Sequence, residues 1–315
     1  MENNEIKFDI LKIDAKIKKD NVYEENDNKF QFCVDYNPDN QKDDDEKTDN
    51  PKYIAKINTK TFKYLGILSK NLKKELYGYN YYDNGDEYFG QWNKDKREGY
   101  GIYFFKEEGG DSIKQIYIGE FKNNKKSGEG MYFHITKLGQ EEDLSIPIDY
   151  SLAIGNFIED NFTKGIIISM KDGKRTIYRG KINKDGKKND DHAELYEDNN
   201  KIFHGIFKDN DMSEGRIIIM KEGKKVNGYY FNKKNEEDVN FNYEKGENDD
   251  EKFIKNLNAL NAVLEYEKIN DLFINIMMIR VKANSSNNFD YMKNLKYDTD
   301  IKQKLKEQYG KYLYF

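Results

Sequence analysis

The chain has little of what builds secreted or membrane proteins. Its 315 residues include a single cysteine, Cys33, so no intrachain disulfide framework can form and a reducing compartment is favoured. The amino-terminal residues lack the long apolar run of a signal peptide. The longest apolar stretch, Leu272 to Val281, is interrupted by Asn275 and Arg280 and is too short to span a bilayer. We therefore expect a soluble, cytoplasmic protein.

Basic surface and catalytic motifs are also scarce. There are 58 acidic and 53 basic residues, which are interleaved along the chain and give a formal net charge of −5. A protein that binds duplex nucleic acid usually presents a basic face, so we expect no nucleic-acid partner. The histidines His134, His192 and His204 are scattered, whereas a zinc site needs several converging ligands. There is no glycine-rich phosphate loop, no kinase motif and no evident partner for Cys33, so we expect no enzyme, cofactor or metal.

Aromatic side chains are what the chain has in abundance. They make up 14% of the sequence, with 25 tyrosines and 19 phenylalanines, while 35% of the residues are charged. Segments this rich in rings bury enough apolar area to fold. The composition therefore predicts a thin structure whose core is built from rings.

The rings belong to an internal repeat. Each copy has an aromatic residue, a spacer, a glycine, a spacer and a large apolar residue, followed by a polar turn and further glycines. The clearest copy runs from Tyr88 to Trp92 and ends with Gly99 and Gly101. The base period is roughly 23–25 residues, within the range of repeat architectures. The head glycines of successive copies are Gly66, Gly90, Gly119, Gly155, Gly180, Gly205 and Gly228.

Each repeat is typical of a β-hairpin, because two short alternating stretches flank a polar turn. In the clearest copy, Glu87 to Trp92 is one strand and Gly99 to Phe104 is the other, with turn residues between them. A single hairpin is not stable alone, so neighbouring hairpins must pack on one another. The pattern predicts a mainly β fold, an elongated twisted sheet of stacked hairpins, followed by a helical carboxyl-terminal segment.

The glycines have a packing role in this interpretation. Alternation places Tyr88, Gly90 and Trp92 on one face of their strand. Because glycine has no Cβ, a neighbouring ring can lie flat on the backbone at Gly90, and we expect the same at Gly99 and Gly101. We therefore expect these rings and glycines to form the core, and direct ligand contact by any one of them is the lesser alternative.

The pattern resembles the MORN repeat, Y-x-G-x-W-x-x-G-x-x-x-G-x-G, over roughly residues 62–231. The resemblance implies a twisted sheet whose groove holds a partner helix or peptide, in a scaffold of cilia, flagella (axonemes and radial spokes), protist cortical cytoskeletons or membrane junctions. Some MORN proteins bind phosphoinositides instead. The residues that the resemblance assigns to the repeats and groove are Tyr64, Gly66, Tyr88, Gly90, Trp92, Gly99, Gly101, Tyr117, Gly119, Phe121, Gly128, Gly130, Gly155, Phe157, Tyr178, Gly180, Phe203, Gly205 and Phe207.

Composition divides the chain into four predicted regions. Residues 1–51 hold two candidate strands, Ile6 to Ile13 and Phe30 to Val34, and an acidic loop. The repeats occupy residues 52–231, and residues 232–250 form a linker. Residues 251–315 are predicted to be helical because apolar residues recur at helical spacing, and a last helix is predicted over Asp300 to Tyr309.

These features favour a non-catalytic scaffold or adaptor that binds proteins. The groove is expected to be covered either by the chain's own helix, around Phe253 to Met277, or by a helix of a partner. A homodimer is an open possibility. The alternative is a peripheral membrane tether, in which the lysine-rich segments 122–126, 171–175 and 221–225 meet anionic phosphoinositide headgroups.

Overall fold

The computed structural model describes residues 22–25, 28–33, 53–69, 71–107, 109–110, 112–139, 147–198, 200–222, 224–232, 251, 253–255, 258 and 266–284. The predicted strand at Ile6 to Ile13, the acidic loop and the predicted helix at Asp300 to Tyr309 lie outside these residues. The predicted linker also lies outside them, apart from Asn232. The predicted domain boundaries therefore stay predictions.

The chain forms two compact units, each built of antiparallel strands. The first comprises residues 1–113, 120–125 and 280–303, and the second comprises residues 114–119, 126–279 and 304–315. The strands of the first unit are β1 Val22–Glu25, β2 Asn28–Cys33, β3 Tyr53–Asn58, β4 Phe62–Leu68, β5 Lys74–Tyr82, β6 Glu87–Asn93 and β7 Lys96–Lys106. Residues of β8 Ile113–Lys122 belong to both units. The second unit has β9 Lys125–Leu138, β10 Pro147–Ile158, β11 Asn161–Lys171, β12 Lys174–Lys181, β13 Asp190–Glu197, β14 Lys201–Lys208, β15 Asp211–Lys221 and β16 Lys224–Asn232.

Within each unit, strands that follow one another in the chain pair side by side as hairpins. From β1 to β7 and from β9 to β16, each strand is hydrogen bonded antiparallel to the next. In the predicted hairpin at Tyr88, β6 and β7 are joined through Lys94 and Asp95, which have φ angles of 50° and 66°. Positive φ at both central residues is the geometry whose twist matches that of paired strands. The predicted mainly β fold of stacked hairpins is confirmed.

Alternation gives the strands of each unit two distinct faces. We call the ring face the one that carries Tyr64 and Tyr88 in the first unit and Tyr117 and Tyr178 in the second. We call the opposite one the helix face. In β6 both faces are buried, since Tyr88 and Trp92 on the ring face and Phe89 on the helix face are each at most 5% exposed. The core therefore lies on both sides of the strands, and something must cover the helix face.

A carboxyl-terminal helix, α1 Tyr266–Asn284, contributes to that cover. In the second unit, the buried residues Ile269, Leu272, Phe273 and Ile276 recur at helical spacing. The ring of Phe273 lies 5.8 Å from the ring of Phe133, on the helix face of β9. The predicted helical segment after the repeats is thus confirmed. Among the described residues, no helix has the length and apolar character needed to cross a membrane.

Candidate functional site

A row of glycines crosses the strands on the ring face. In the first unit, Gly66 is opposite Gly78, Gly78 opposite Gly90, and Gly90 opposite Gly101. The corresponding row of the second unit is Gly119, Gly130, Gly155, Gly165, Gly180, Ala193, Gly205 and Gly215. Within each unit, these small residues occupy matching positions on neighbouring strands, and we call this feature the glycine row.

In the repeats at Tyr88 and Tyr117, the tyrosine ring lies on the glycine row, which explains why no Cβ fits there. A Cβ at Gly101 would lie 2.5 Å from the hydroxyl of Tyr88, and one at Gly130 would lie 2.5 Å from the hydroxyl of Tyr117. Real Cβ contacts are longer, so the ring would have to move out. Each hydroxyl also reaches a backbone carbonyl: Tyr88 donates to Gln91 O at 2.8 Å. The tyrosine is therefore fixed at both its ring and its hydroxyl, as a buried tyrosine requires.

The large apolar residue of one repeat packs edge-on against the tyrosine of the preceding repeat. Tyr64 and Trp92 have ring centroids 5.9 Å apart with an interplanar angle of 90°, and Tyr88 and Phe121 are 5.2 Å apart at 82°. Edge-to-face pairs of this kind contribute ~1 kcal/mol beyond buried area. In the second unit the same contact joins Tyr117 to Phe157 at 5.0 Å and Tyr178 to Phe207 at 5.3 Å.

A second link between repeats was not predicted from the sequence. The side chain of Asp95, in a hairpin turn, accepts the backbone N–H of Lys74 in the previous repeat at 2.8 Å, and the N–H of Asp95 donates to Lys74 O at 3.1 Å. We call this two-bond contact the turn clasp. The signal for it is an Asp or Asn three residues after each large apolar residue. Among the described residues, the same two bonds also pair Asn124 with Arg97, Asp160 with Lys126, Asp198 with Arg175 and Asn210 with Lys188.

The clasped residue is a cation in every one of these contacts, and the side chains of four of them lie over rings, namely Lys74, Arg97, Lys126 and Lys188. The ammonium of Lys74 is 4.1 Å from the ring centroid of Phe62 and 4.7 Å from that of Trp92, and it donates to Asn80 Oδ1 at 2.6 Å. Burial lowers the pKa of the Lys74 ammonium to about 7, against the opposing attraction of Asp95. The cation thus has a structural role on the ring face, in favourable cation–π geometry.

Not every predicted repeat residue lies in this arrangement. Gly99 was predicted to accommodate a ring, and that is wrong: it has a φ of 79° and faces the side chain of Gln91. Gly128 likewise has a positive φ, 62°. These two glycines are needed for backbone conformation rather than for ring packing. The head glycine of the last half-copy, Gly228, lies off the glycine row, because Gly215 pairs with Phe231.

The helix face of the first unit contains a buried carboxylate. Glu87 is 1% exposed, and Arg280 of α1 binds both of its oxygens, with distances of 2.6 to 3.0 Å. Tyr79 donates its hydroxyl to Glu87 Oε2 at 2.7 Å, and burial, together with contact with the carboxylate, raises the pKa of Tyr79 well above its usual range. Both carboxylate oxygens are satisfied, so this charge is stable only while Arg280 is in place. Sequence periodicity gave no signal for this pair.

The helix face of the second unit changes character partway along. The residue before the head glycine is Ile154 in one repeat and Arg179 in the next. Arg179 forms an ion pair with Glu194, with 3.2 Å between the guanidinium nitrogen and the carboxylate oxygen. Next along the row come His204, opposite Glu194, and Arg216, opposite His204. His204 also stacks on Phe253 with ring centroids 4.4 Å apart. An apolar row is thus continued by charged side chains.

The predicted absence of metal and catalytic sites is not tested by these positions. His134 and His192 are exposed, and His204 is engaged by Phe253. Within the described ranges, no three His, Cys, Asp or Glu side chains come close enough together to hold a metal ion.

Comparison with known proteins identifies the repeats. The family model for the MORN repeat matches residues 88–107 and 117–133. These are the copies that begin at Tyr88 and Tyr117, whose rings and glycines are complete. No curated protein matches the chain. The chain therefore contains MORN repeats, which are in general protein-binding or lipid-binding modules.

Proposed function

We propose that the chain is a non-catalytic scaffold or adaptor that binds partner proteins through its MORN-repeat strands. The observation that carries the proposal is that the helix face already binds a helix. Phe273 packs on Phe133 in the second unit, and Arg280 binds Glu87 in the first. A sheet face with apolar contacts and a placed charge is suited to helix-in-groove recognition. The partner would be a helix or an extended peptide of another protein, or of a second copy of this chain.

The ring face supports the same proposal from the other side. Its tyrosines, glycines and cations are occupied in joining one repeat to the next. These residues therefore serve to hold a regular surface in place. The proposed setting is a ciliary, axonemal or cortical cytoskeletal assembly in the cytoplasm, and its support is the resemblance of the repeats to those of such scaffolds.

A second candidate function is a peripheral tether on anionic phosphoinositide lipids. The tip of the β11–β12 hairpin favours it, because Lys171 and Lys174 are opposite each other and exposed, with Arg175 next to them. Carboxylates are interspersed at this tip. Asp149 accepts the N–H of Asp172 at 3.0 Å and Asp198 that of Arg175 at 2.7 Å. Acidic groups so close to the lysines weaken attraction to an anionic surface.

The test is a tagged pull-down from native cells with mass spectrometry, together with imaging of the tag. Recovery of cytoskeletal or axonemal proteins, with the tag on cilia or cortex, is the expected result. Recovery of membranes with few stable protein partners, abolished by changing Lys171, Lys174 and Arg175 to glutamate, would reject the scaffold in favour of the tether.

A further inference from the structure

The second unit contains a cavity where its repeats depart most from the pattern. Its volume is about 420 Å³, within the range of ligand sites, and its floor is the backbone of Gly155, Gly165 and Gly180. Polar and charged side chains line it, among them Asn156, Lys164 and Lys181. The walls are side chains of the helix face, because they alternate in sequence with these glycines.

Two lysines oppose each other across the cavity wall. Lys164 in β11 is directly opposite Lys181 in β12, and both are exposed. Like charges placed opposite on neighbouring strands destabilise a sheet. Within the part of the chain that the structure describes, neither ammonium makes a hydrogen bond or an ion pair. Repulsion between the two ammoniums thus lowers the stability of the sheet locally, and an anionic group bound between them would remove this repulsion.

The nearby carboxylates do not neutralise this pair. Glu194 is 9% exposed, is bound by Arg179, and accepts a hydrogen bond from the hydroxyl of Tyr196. Asp190 accepts the backbone N–H groups of Lys181 at 2.8 Å and His192 at 2.9 Å. Both carboxylates are thus already hydrogen bonded to groups other than the two lysine ammoniums.

One carboxylate of the cavity wall, that of Glu129, differs from Glu194 and Asp190 in its contacts. Glu129 lines the cavity from β9, is half-buried, and makes no ion pair within the described residues. An anionic membrane surface would be repelled by Glu129 and Asp190. A protein segment that carries both a carboxylate and a basic side chain would satisfy Glu129 and the two lysines together. Charge complementarity therefore favours a peptide over a lipid headgroup.

We propose that this cavity, which we call the lysine cavity, binds an acidic side chain of a partner protein between Lys164 and Lys181. The proposal rests on the protein-binding function above and assigns one contact point of that function. The bound carboxylate accepts charge-assisted hydrogen bonds from both ammoniums, which are about twice as strong as neutral ones. Arg179 and Glu194 keep the wall in place and do not themselves need to contact the ligand.

The test compares two charge-reversed pairs on the same two strands in the full-length chain. Lys164→Glu with Lys181→Glu alters the cavity. Lys171→Glu with Lys174→Glu makes the same change in charge at the exposed hairpin tip, where the lysines are also opposite each other. The probe is a short fluorescein-labelled peptide that carries both glutamate and lysine side chains, and its binding is followed by fluorescence anisotropy. We expect the cavity pair to weaken binding about tenfold or more, equivalent to ~1.4 kcal/mol, and the tip pair to change it little.

A single substitution controls for misfolding of the double variant and adds the thermal unfolding midpoint as a second measurement. Lys164→Glu alone creates an opposite-charge pair with Lys181, so it should raise the thermal unfolding midpoint while it weakens peptide binding. A purely structural role for Lys164 would not give both effects. Lys164→Gln with Lys181→Gln should also weaken binding without introducing repulsion.

Three outcomes would overturn the proposal. They are equal loss in both charge-reversed pairs, no peptide binding by the wild-type chain, and binding only to phosphatidylcholine vesicles that contain a phosphoinositide. If the pull-down still recovers proteins in any of these cases, only the lysine cavity is rejected and the scaffold stands. If the pull-down recovers no proteins, the scaffold itself fails.

Discussion

Two pairs of repeats share a backbone register but differ in their side chains. One pair begins at Tyr64 and Tyr88 in the first unit, and the other begins at Ala153 and Tyr178 in the second. In the first unit, the glycine row lies under tyrosine rings, and the helix face carries Phe89. In the second unit, the three atoms nearest to a Cβ at Gly155 all belong to the backbone, and the helix face carries charged side chains. The regular repeats serve packing, and we propose that the departures, with their charged side chains, contribute to binding.

The largest expected effect comes from adding a methyl group to the glycine row. A Cβ at Gly90 would lie 2.5 Å from Gly101 Cα and 2.6 Å from the hydroxyl of Tyr88. Gly90→Ala should therefore lower the free energy of unfolding by ~3 kcal/mol, as overpacking of a core does. The matched control is Gly228→Ala, whose nearest atom is 3.4 Å away and which should change stability by less than ~0.5 kcal/mol. Urea unfolding measures both, and equal effects would contradict the packing role of the row.

The next effect is a difference in stability between variants that break the two buried ion pairs, Arg280–Glu87 and Arg179–Glu194. Arg280→Met leaves the Glu87 carboxylate buried without its partner and should lower the free energy of unfolding by ~3 kcal/mol. Arg179→Met removes the cation from Glu194, which makes a longer contact of 3.2 Å and keeps its hydrogen bond from Tyr196. Arg179→Met should therefore lower the free energy of unfolding by only ~1 kcal/mol. Urea unfolding of the two single variants tests this order, and a larger loss for Arg179→Met would reverse the comparison.

The ring face predicts a pH dependence in the first unit. Burial lowers the pKa of Lys74 to about 7 in the folded chain, from 10.5 for an unburied lysine. Between pH 7 and pH 10.5, the Lys74 side chain is therefore protonated in the unfolded chain and deprotonated in the folded chain. The free energy of unfolding should therefore rise with pH through this window, by up to ~1.4 kcal/mol per pH unit, and the contribution should level off below pH 7. Lys74→Met should remove the rise, whereas the exposed turn variant Lys94→Met should keep it. Urea midpoints measured across the window check this, and an unchanged slope in Lys74→Met would refute it.

The smallest effect concerns the turn clasp. Asn124 has a φ of 69° and accepts the N–H of Arg97 at 2.8 Å, so Asn124→Ala loses a hydrogen bond and adds backbone strain. Asn124→Gly loses the same bond without the strain. We expect about 1 kcal/mol for the lost bond and a further ~1 kcal/mol for alanine. Thermal unfolding of both variants measures the two parts, and identical stabilities would show that strain has no role there.

The sequence predicted the fold through a repeated local pattern. The alternation around Tyr88 and Gly90 is read directly from neighbouring residues, so hairpins, ring packing and glycines could be inferred. Arg280 and Glu87 could not be paired from the sequence, because nearly two hundred residues separate them and neither belongs to a periodic pattern. Lys164 and Lys181 were likewise missed, since their opposition depends on strand register. The turn clasp was detectable, because Asp95 and Asn124 occupy the same position of successive repeats.

The most direct test of the account is a quantitative pull-down with three full-length chains. These are the wild type, the cavity pair Lys164→Glu with Lys181→Glu, and the tip pair Lys171→Glu with Lys174→Glu. The account predicts the same set of protein partners for the wild type and the tip pair, and loss of at least one principal partner from the cavity pair. Recovery of membranes instead of proteins by the wild type, lost only in the tip pair, would contradict it.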